Sequence, residues 1–499
     1  MSLSHSQQVT ESNAVRVVDG NVPLASRTRH LGGSVLQRCW TLVEAPVQIA
    51  RGARSLLVFP ETQEVIGLST RIAHCFHNEA AVCQDAVRDV LSEQTHEVVE
   101  QTITQIDALL RTRCVLESKE CRVRNDSPPY DAVLNLSVTE FCNLRCRHCY
   151  SDSSPSRSGR IKNPEAVVRD FVSTFGDHER LDVALTGGEP TLWPGTVPLL
   201  KTVSFSSVPG RIPTLYVNTN GTVLTDEHAR TFASLGVHVA VSLDGPDAYT
   251  HEQIRGPGTF FRTLKGMERL RFANAWFGVN VLIHPGNFDR LEELFDLAVG
   301  SGAKSINAFT LDRMGRASRA EEWPNIARDE RFKNDSRQLE CVPDYLAYRQ
   351  QHRILTRRPD LAMYLRNGFF LGQLLRVRLR RRVRCGIGRH PTFYVSSDGS
   401  AYPDIALFHP EFKLGSVSMG FEQLRRHPFL EMMRNREPIS ARSQCASCPL
   451  RMFCGGGCPG DNFQRTGTLE PSEDICQELY QATEELLWIL SERPAYLGA

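Results

Sequence analysis

The chain has 499 residues, with 58 lysines and arginines against 57 aspartates and glutamates, a formal net charge of +1 at pH 7. So even a balance gives no overall electrostatic case for nucleic acid or a membrane surface, and the length leaves room for roughly two to four domains, each able to bury its own core. Fifteen cysteines, several closely spaced, follow a polar start (Met-Ser-Leu-Ser-His-Ser-Gln-Gln) with no export signal, which argues for reduced, metal-binding thiolates rather than disulfides. No apolar run is long enough to span a bilayer. A soluble, cytoplasmic protein is expected.

Residues 1–35 are polar and punctuated by Gly20, Pro23, Gly32 and Gly33, and read as a tail or linker. A compact module follows at 36–125. Strands are expected at Trp40-Thr-Leu-Val-Glu, Ser55-Leu-Leu-Val-Phe and Val65-Ile-Gly-Leu, then helices near 70–77, 80–92 and 98–112. Strands followed by helices in this order predict a winged-helix-like shape. Its helices hold few lysines or arginines, so DNA is the weaker choice of ligand. Cys75, Cys83, Cys114 and Cys121 lack metal spacing and read as small apolar residues.

Over 130–320 strands and amphipathic helices alternate. Strand candidates are 132–138, 181–186, 213–218, 237–243, 277–283 and 304–310. Asn163-Pro164 reads as an N-cap followed by a first-turn proline, and Asn287 precedes the periodic Leu291, Leu294, Phe295 and Ala298. The expected fold is α/β, a partial (β/α)6 barrel of the TIM type, whose chemistry sits at the C-terminal ends of its strands.

Directly after the first of these strands come Cys142, Cys146 and Cys149, spaced C-x3-C-x2-C. A tight triplet suggests a metal centre with one open position, because structural zinc and ordinary iron-sulfur clusters take four protein ligands. A zinc knuckle completed by His148 or a distant cysteine is the alternative. Thr186-Gly-Gly-Glu-Pro190 ends the second strand, and its glycines would let backbone approach a ligand beside a carboxylate. Asn218-Thr-Asn-Gly221 ends the third. Ser242 and Arg255, on successive elements, would make a carboxylate clamp. Asp244 reads equally as a substrate contact or a turn former.

A helical bridge is expected at 321–384. It includes six arginines within 376–384, read as a solvated helix face. The segment 385–480 opens on Cys385, continues through a hairpin with Asp398-Gly399 as its turn, and ends in Cys445, Cys448, Cys454, Cys458 and Cys476. Residues 481–499 read as a C-terminal tail. Cys341 lies outside these patterns and reads as a buried thiol.

The triplet and the phrases after it resemble the radical S-adenosylmethionine (SAM) enzymes. That resemblance implies a [4Fe-4S] cluster on Cys142, Cys146 and Cys149. It also implies that SAM chelates the open iron and is cleaved to a 5'-deoxyadenosyl radical. Gly187, Gly188 and Glu189 would meet the SAM amino group, Asn220 the ribose, and Ser242 and Arg255 the carboxylate. The position before the third cysteine is usually aromatic in the family; here it is His148.

The C-terminal array resembles the SPASM domain, implying one or two auxiliary [4Fe-4S] clusters. Cys445, Cys448, Cys454 and Cys476 would hold one, while Cys385 and Cys458 belong to the other. Asp404 stands where that family has a cysteine. The first auxiliary cluster is then Asp-ligated, open at one iron, or absent. The module at 36–125 looks like the PqqD-like peptide-recognition domains, in which a leader peptide adds as a strand at the sheet edge against a helix.

Together the resemblances imply a maturase of ribosomally made, post-translationally modified peptides, served by an electron donor such as flavodoxin or ferredoxin. It would form a carbon-centred crosslink, a cyclophane or a thioether. The rivals are sulfatase-maturase-like oxidation of Ser or Cys on a protein, and a non-catalytic iron-sulfur peptide-binding protein. The sequence names no acid or base catalyst.

Overall fold

The computed structural model describes residues 17–18, 39–42, 45–59, 64–76, 81–112, 132–178, 180–205, 213–318, 341–366, 368–378, 387, 390–492 and 494–497. Cys385 and most of the arginine run lie outside the described residues, as do Cys114 and Cys121.

The N-terminal unit is built on strands β3 (Val47–Arg51), β4 (Arg54–Phe59) and β5 (Glu64–Ser69), paired antiparallel in sequence. The run Leu56-Leu57-Val58-Phe59 is apolar without alternation because both faces of β4 are covered. Leu57 and Phe59 pack on the unit's own helices, whereas Leu56 and Val58 join the main core of the protein. The helices are α1 (Thr70–Ala73), α2 (Gln84–Val90) and α3 (His96–Thr112).

Three details depart from expectation. Strand β3 is additional. The stretch expected to begin a helix near residue 80 is instead strand β6 (Ala81–Cys83), paired with β2 (Cys39–Thr41) in a separate ribbon that sets Trp40 opposite Val82. Cross-strand pairing here overrides a helical pattern that would otherwise run on into α2. And within the expected tail, Val17–Val18 forms β1, parallel to β5 on its outer edge and beside α3, giving the order β1-β5-β4-β3.

All six strands expected in the central region are present: β7 (Ala132–Thr139), β8 (Leu181–Gly187), β9 (Thr214–Thr219), β10 (His238–Ser242), β11 (Phe277–Leu282) and β12 (Ser305–Phe309). They pair parallel in sequence order. Between them lie α4 (Pro164–Phe175), α5 (Thr196–Phe205), α6 (Asp226–Ser234), α7 (Ala248–Arg255), α8 (Phe260–Phe272) and α9 (Leu291–Gly300). Apolar side chains such as Leu134, Leu136, Val217, Val239 and Val241 are fully buried against helix residues such as Phe171, Phe232 and Phe295.

The capping expected of Asn163 does not occur. Its backbone is left-handed, φ 49°, and its side chain makes no cap bond, although Pro164 does open α4. Asn287 is also no side-chain cap. Its amide donates to the carbonyls of Asp244 (2.9 Å) and Leu282 (2.7 Å), joining two strand ends.

After α10 (Asp344–Arg357), α11 (Ala362–Leu365) and α12 (Phe369–Arg378), the expected hairpin forms from β13 (Thr392–Val395) and β14 (Ser400–Tyr402). It is not separate from the central sheet. Strand β13 pairs parallel with β7, and β14 pairs with β15 (Gly415–Ser416), extending the sheet to nine strands. Short helices α13 (Phe421–Leu424), α14 (Pro428–Arg434), α15 (Arg451–Cys454) and α16 (Pro459–Thr466) carry the cysteine-rich region.

The expected C-terminal tail is largely helix. Helix α17 (Glu473–Ser491) buries Leu486, Leu487, Trp488, Ile489 and Leu490 against the main core. Its far end receives the N-terminal unit: Arg51 pairs with Glu485 (3.1 Å) and lies over the Trp488 ring, and Arg54 donates to Ser491. No helix among the described residues is long and apolar enough to cross a membrane.

Candidate metal and cofactor site

The triplet loop leaves the C-terminal end of β7 and is held from several sides. Cys142 and Cys146 are buried around Leu144, with Cys149 packed against them. Burial, together with the charge of neighbouring carboxylate and thiol groups, pushes the Cys142 thiol up to about 12 and Cys146 to about 11. Thiolates in such surroundings need a compensating cationic centre, and metal ligation supplies it.

The glycines after β8 are explained first by this loop. The amide of Gly188 donates to Thr139 O at 2.6 Å and that of Glu189 to Phe141 O at 2.9 Å. A Cβ on Gly188 would stand 2.1 Å from the Phe141 carbonyl oxygen, and one on Gly187, which has φ +113°, 2.4 Å from Thr139 O. Their smallness thus lets the end of β8 lie on the cysteine loop.

Glu189 is fully buried. Its Oε1 accepts from Thr191 N, Thr191 Oγ1 and Thr219 Oγ1, and its Oε2 from Asn220 N. Each carboxylate oxygen offers about two acceptor directions, so three donors crowd Oε1 while Oε2 receives only one. One direction on Oε2 is therefore left to receive an ammonium group. Burial pushes this carboxyl above its usual range, against the pull of those bonds.

Asn220 points back at the loop, its amide nitrogen donating to Asn143 Oδ1 (3.1 Å) and lying 3.9 Å from Cys142 Sγ, while its Oδ1 accepts from Thr222 N and Oγ1. Arg255 ends α7. Its Nε donates to Asp244 Oδ2 at 2.6 Å and its Nη2 lies 3.2 Å from His148 Nε2. Ser242 stands at the end of β10, two residues before Asp244. Asp244 is a strut: its Oδ1 accepts from Leu282 N. Burial would raise its pKa, but the Arg255 guanidinium and two imidazoles outweigh burial and hold it well below the usual carboxylate range.

A residue that spacing did not single out is Arg316. It is fully buried, and its guanidinium donates to Cys146 O (2.8 Å), Asp152 Oδ1 (2.7 Å) and Ser153 O (2.7 Å). Gly315 before it, φ +56°, has no room for a Cβ, with Tyr150 O 2.3 Å from that point. The Met-Gly-Arg-Ala phrase was legible only as a closing loop. Its arginine's role appears once the chain brings it back to the triplet.

In the C-terminal region Cys445, Cys448, Cys454 and Cys476 gather from the loop before α15, from α15 and from the first turn of α17, and each interacts electrostatically with others of the set. Burial and these neighbours push Cys445 up to about 11. Cys458 is exposed at the start of α16. Asp404 is buried, raised by that burial, and its Oδ1 accepts from Ala406 N at 2.9 Å. Gly460 lies against Ala406, so the segments that start at Asp404 and Cys458 adjoin. Cys341, expected as a buried thiol, is only partly buried and packs against Ile254, Leu282 and Ala317. Among the described residues no three His, Cys, Asp or Glu side chains converge as a site for a single ion. The triplet's open-ended donor set and the grouped quartet fit soft, thiolate-held clusters.

The model for the radical SAM superfamily matches residues 136–298. The chain is 26% identical to the AdoMet-dependent heme synthase of Methanosarcina barkeri over 68% of this chain and 94% of that protein. It is 29% identical to the mycofactocin maturase MftC of Mycolicibacterium smegmatis over 69% of this chain and 82% of that one. Among solved structures, anSMEcpe with bound AdoMet superposes with a TM-score of 0.55 at 17% identity, covering 74% of this chain and all of that one. Streptococcus suis SuiB bound to S-adenosylmethionine gives 0.51 at 15% identity, covering 88% of this chain and all of SuiB. At these identities the two structures speak for the fold. Residues 136–298, with the cysteine loop at the end of the first parallel strand, thus match the radical SAM superfamily, and the chain as a whole is similar to a mycofactocin maturase and to AdoMet-dependent heme synthases.

Proposed function

We propose that the chain is a maturase of ribosomally made peptides. Its N-terminal unit grips a precursor's leader, a partial (β/α)6 barrel generates the radical, and a C-terminal SPASM domain holds auxiliary clusters. The observation that carries this reading is the β5 edge, which accepts an extended strand, β1, lying beside α3. An edge that pairs with one strand has the free amides and carbonyls to pair with another. A leader would take the place of Val17–Val18 there. Tethering raises the local concentration of the core peptide, so each modified residue need bind only weakly.

Cys142, Cys146 and Cys149 would hold the SAM-binding cluster, and Cys445, Cys448, Cys454 and Cys476 an auxiliary one. Asp404 with Cys458 and Cys385 would serve the other. With SAM bound, such a cluster supplies the 5'-deoxyadenosyl radical that abstracts hydrogen. The chain's own part is positional. The free direction on Glu189 Oε2 and the carbonyls beside it receive the SAM ammonium. Ser242 and the remaining Arg255 donors receive its carboxylate, and Asn220 with Arg316 keeps the loop in place. The product is a carbon-centred crosslink, a cyclophane or thioether.

The test is anaerobic incubation of reconstituted enzyme, SAM and reductant with small peptides encoded beside the gene, followed by mass spectrometry and a 5'-deoxyadenosine assay. A peptide lighter by two hydrogens supports crosslinking. Deoxyadenosine with every peptide unchanged sinks that assignment. Activity surviving removal of residues 1–125 favours oxidation of a Ser or Cys on a protein. Function surviving Cys142→Ala, Cys146→Ala and Cys149→Ala together would mark a non-catalytic iron-sulfur protein.

A second reading, action on a tetrapyrrole, is favoured by one observation. The named heme synthase is matched over nearly all its length, 94%. Substrate depletion of a tetrapyrrole with deoxyadenosine release, and none with peptide, would establish it.

A further inference from the structure

The hydrogen-bond pattern around Asp244 and Arg255 fixes which ring nitrogen carries the proton in two histidines, the buried His251 and the partly buried His148. The amide of Asp244 donates to His251 Nδ1 at 3.1 Å, so in the neutral ring the proton is on Nε2. Arginine has no acceptor, so His148 Nε2, 3.2 Å from Arg255 Nη2, must be the accepting nitrogen. Asp244 Oδ2 lies 4.0 Å from that Nε2, too far for a hydrogen bond that would call for a proton there. His148 therefore carries its proton on Nδ1.

That Nδ1–H is buried and has no hydrogen-bond partner among the described residues. An unpaired buried donor is costly to keep. It persists in a loop held down by Arg316, Asn220 and the Gly188 contact, where the ring has few ways to turn elsewhere. His148 is two residues after Cys146 and one before Cys149, and Arg255, its partner on the other nitrogen, feels the charge of Cys146 and Cys142. The acceptors this part of the loop gains when its cysteines are loaded are sulfurs.

We infer that the His148 Nδ1–H donates a hydrogen bond to a sulfur of the cluster held by Cys142, Cys146 and Cys149, and thereby raises its reduction potential. This rests on the reading that the triplet holds a cluster. His148 is a positioning residue in this role. Arg255, anchored on Asp244, sets the tautomer, and the ring presents its proton to the cluster. Hydrogen bonds to cluster sulfurs stabilise the reduced, more negative state.

Two substitutions separate the ring's two nitrogens. His148→Asn keeps an N–H near the Nδ1 position and gives up the contact with Arg255. His148→Gln keeps an acceptor near the Nε2 position and gives up the donor. The readout is the midpoint potential of the reconstituted full-length protein without SAM, followed on the electron paramagnetic resonance signal that changes when SAM is added, with SAM affinity measured alongside. His148→Asn is expected to titrate like wild type, and His148→Gln and His148→Phe at more negative potential with SAM affinity unchanged.

Equal midpoints in all four proteins overturn the inference. So does a midpoint that follows the Arg255 contact, or one that shifts only once SAM is bound. Should the variants lose iron, the wild-type protein decides. After incorporation of 15N-histidine, coupling of an imidazole nitrogen to the SAM-responsive reduced cluster supports the hydrogen bond, and its absence overturns it. No SAM-responsive signal in wild-type protein sinks the cluster reading itself, and the inference with it.

Discussion

Arg316 Nε donates to the carbonyl oxygen of Cys146 at 2.8 Å, joining residues 170 apart in sequence. The same guanidinium holds Asp152 and Ser153, so one side chain closes the triplet loop from the far side of the sheet. Arg316→Ala would strand buried acceptors and leave Asp152 without its nearer partner. A loss of about 2–4 kcal/mol is expected, with lower iron per chain. Arg316→Lys should recover little, because an ammonium cannot reach three acceptors in the plane of a fork. Thermal unfolding and iron analysis of the reconstituted variants check this.

The two cysteine groups should fail independently. Cys454→Ala is expected to remove one cluster's worth of iron while leaving the SAM-responsive signal, and Cys146→Ala the reverse. Iron content with spectra before and after SAM addition distinguishes them. Loss of both signals from either substitution would mean that the two sites are one folding unit.

Asp404 carries the question of the first auxiliary cluster. If it ligates iron, Asp404→Ala lowers iron content and Asp404→Cys retains it with an altered spectrum. If it serves only to cap the turn at Ala406, Asp404→Asn should hold both stability and iron, since its side-chain oxygen can still accept that amide.

Acid should loosen the site through its buried histidines. Burial, reinforced by the Arg255 guanidinium, pushes His251 down to about 4, and burial pushes His284 down as well. Between about pH 6.5 and 4 the unfolded chain binds protons at these rings that the folded chain does not. Stability therefore falls with falling pH through that window, by about 3 kcal/mol at most from His251. His251→Asn, whose side-chain oxygen can accept from the Asp244 amide, should flatten the fall. Urea midpoints across pH 4–7 under anaerobic conditions are the measurement.

The parallel strand at Val17–Val18 predicts competition for the β5 edge. Deleting residues 1–30 should tighten binding of a leader peptide severalfold, as judged by fluorescence polarisation, and substituting Val17 and Val18 by proline should do the same by removing ladder donors. Weaker binding after either change would show that the segment belongs to the leader's site.

Much was legible before any folding. Six period-2 or apolar stretches became six parallel strands because each carries its own burial pattern. The cysteine spacings were also local, as turns and short helices can bring sulfurs together within a few residues. Local reading went wrong where partners decide. Residues 81–83 are strand because Cys39–Thr41 lies alongside, Asn163 turns the chain left-handed without capping, and the supposed tail is a buried helix.

The sequence by itself determined which residues can bind soft metal and which strands can lie in a doubly covered sheet, since both follow from side-chain chemistry and short spacing. Tertiary structure alone decided what each polar group is engaged with. Glu189 Oε2 has one acceptor direction left because Thr191 and Thr219 crowd onto Oε1 and only Asn220 N reaches Oε2. Asp244 is a strut because Arg255 comes to it from α7. His148 has a proton with no acceptor because that arginine claims its other nitrogen. Such assignments depend on which donors meet which acceptors across long stretches of chain, and burial then keeps water from supplying substitutes.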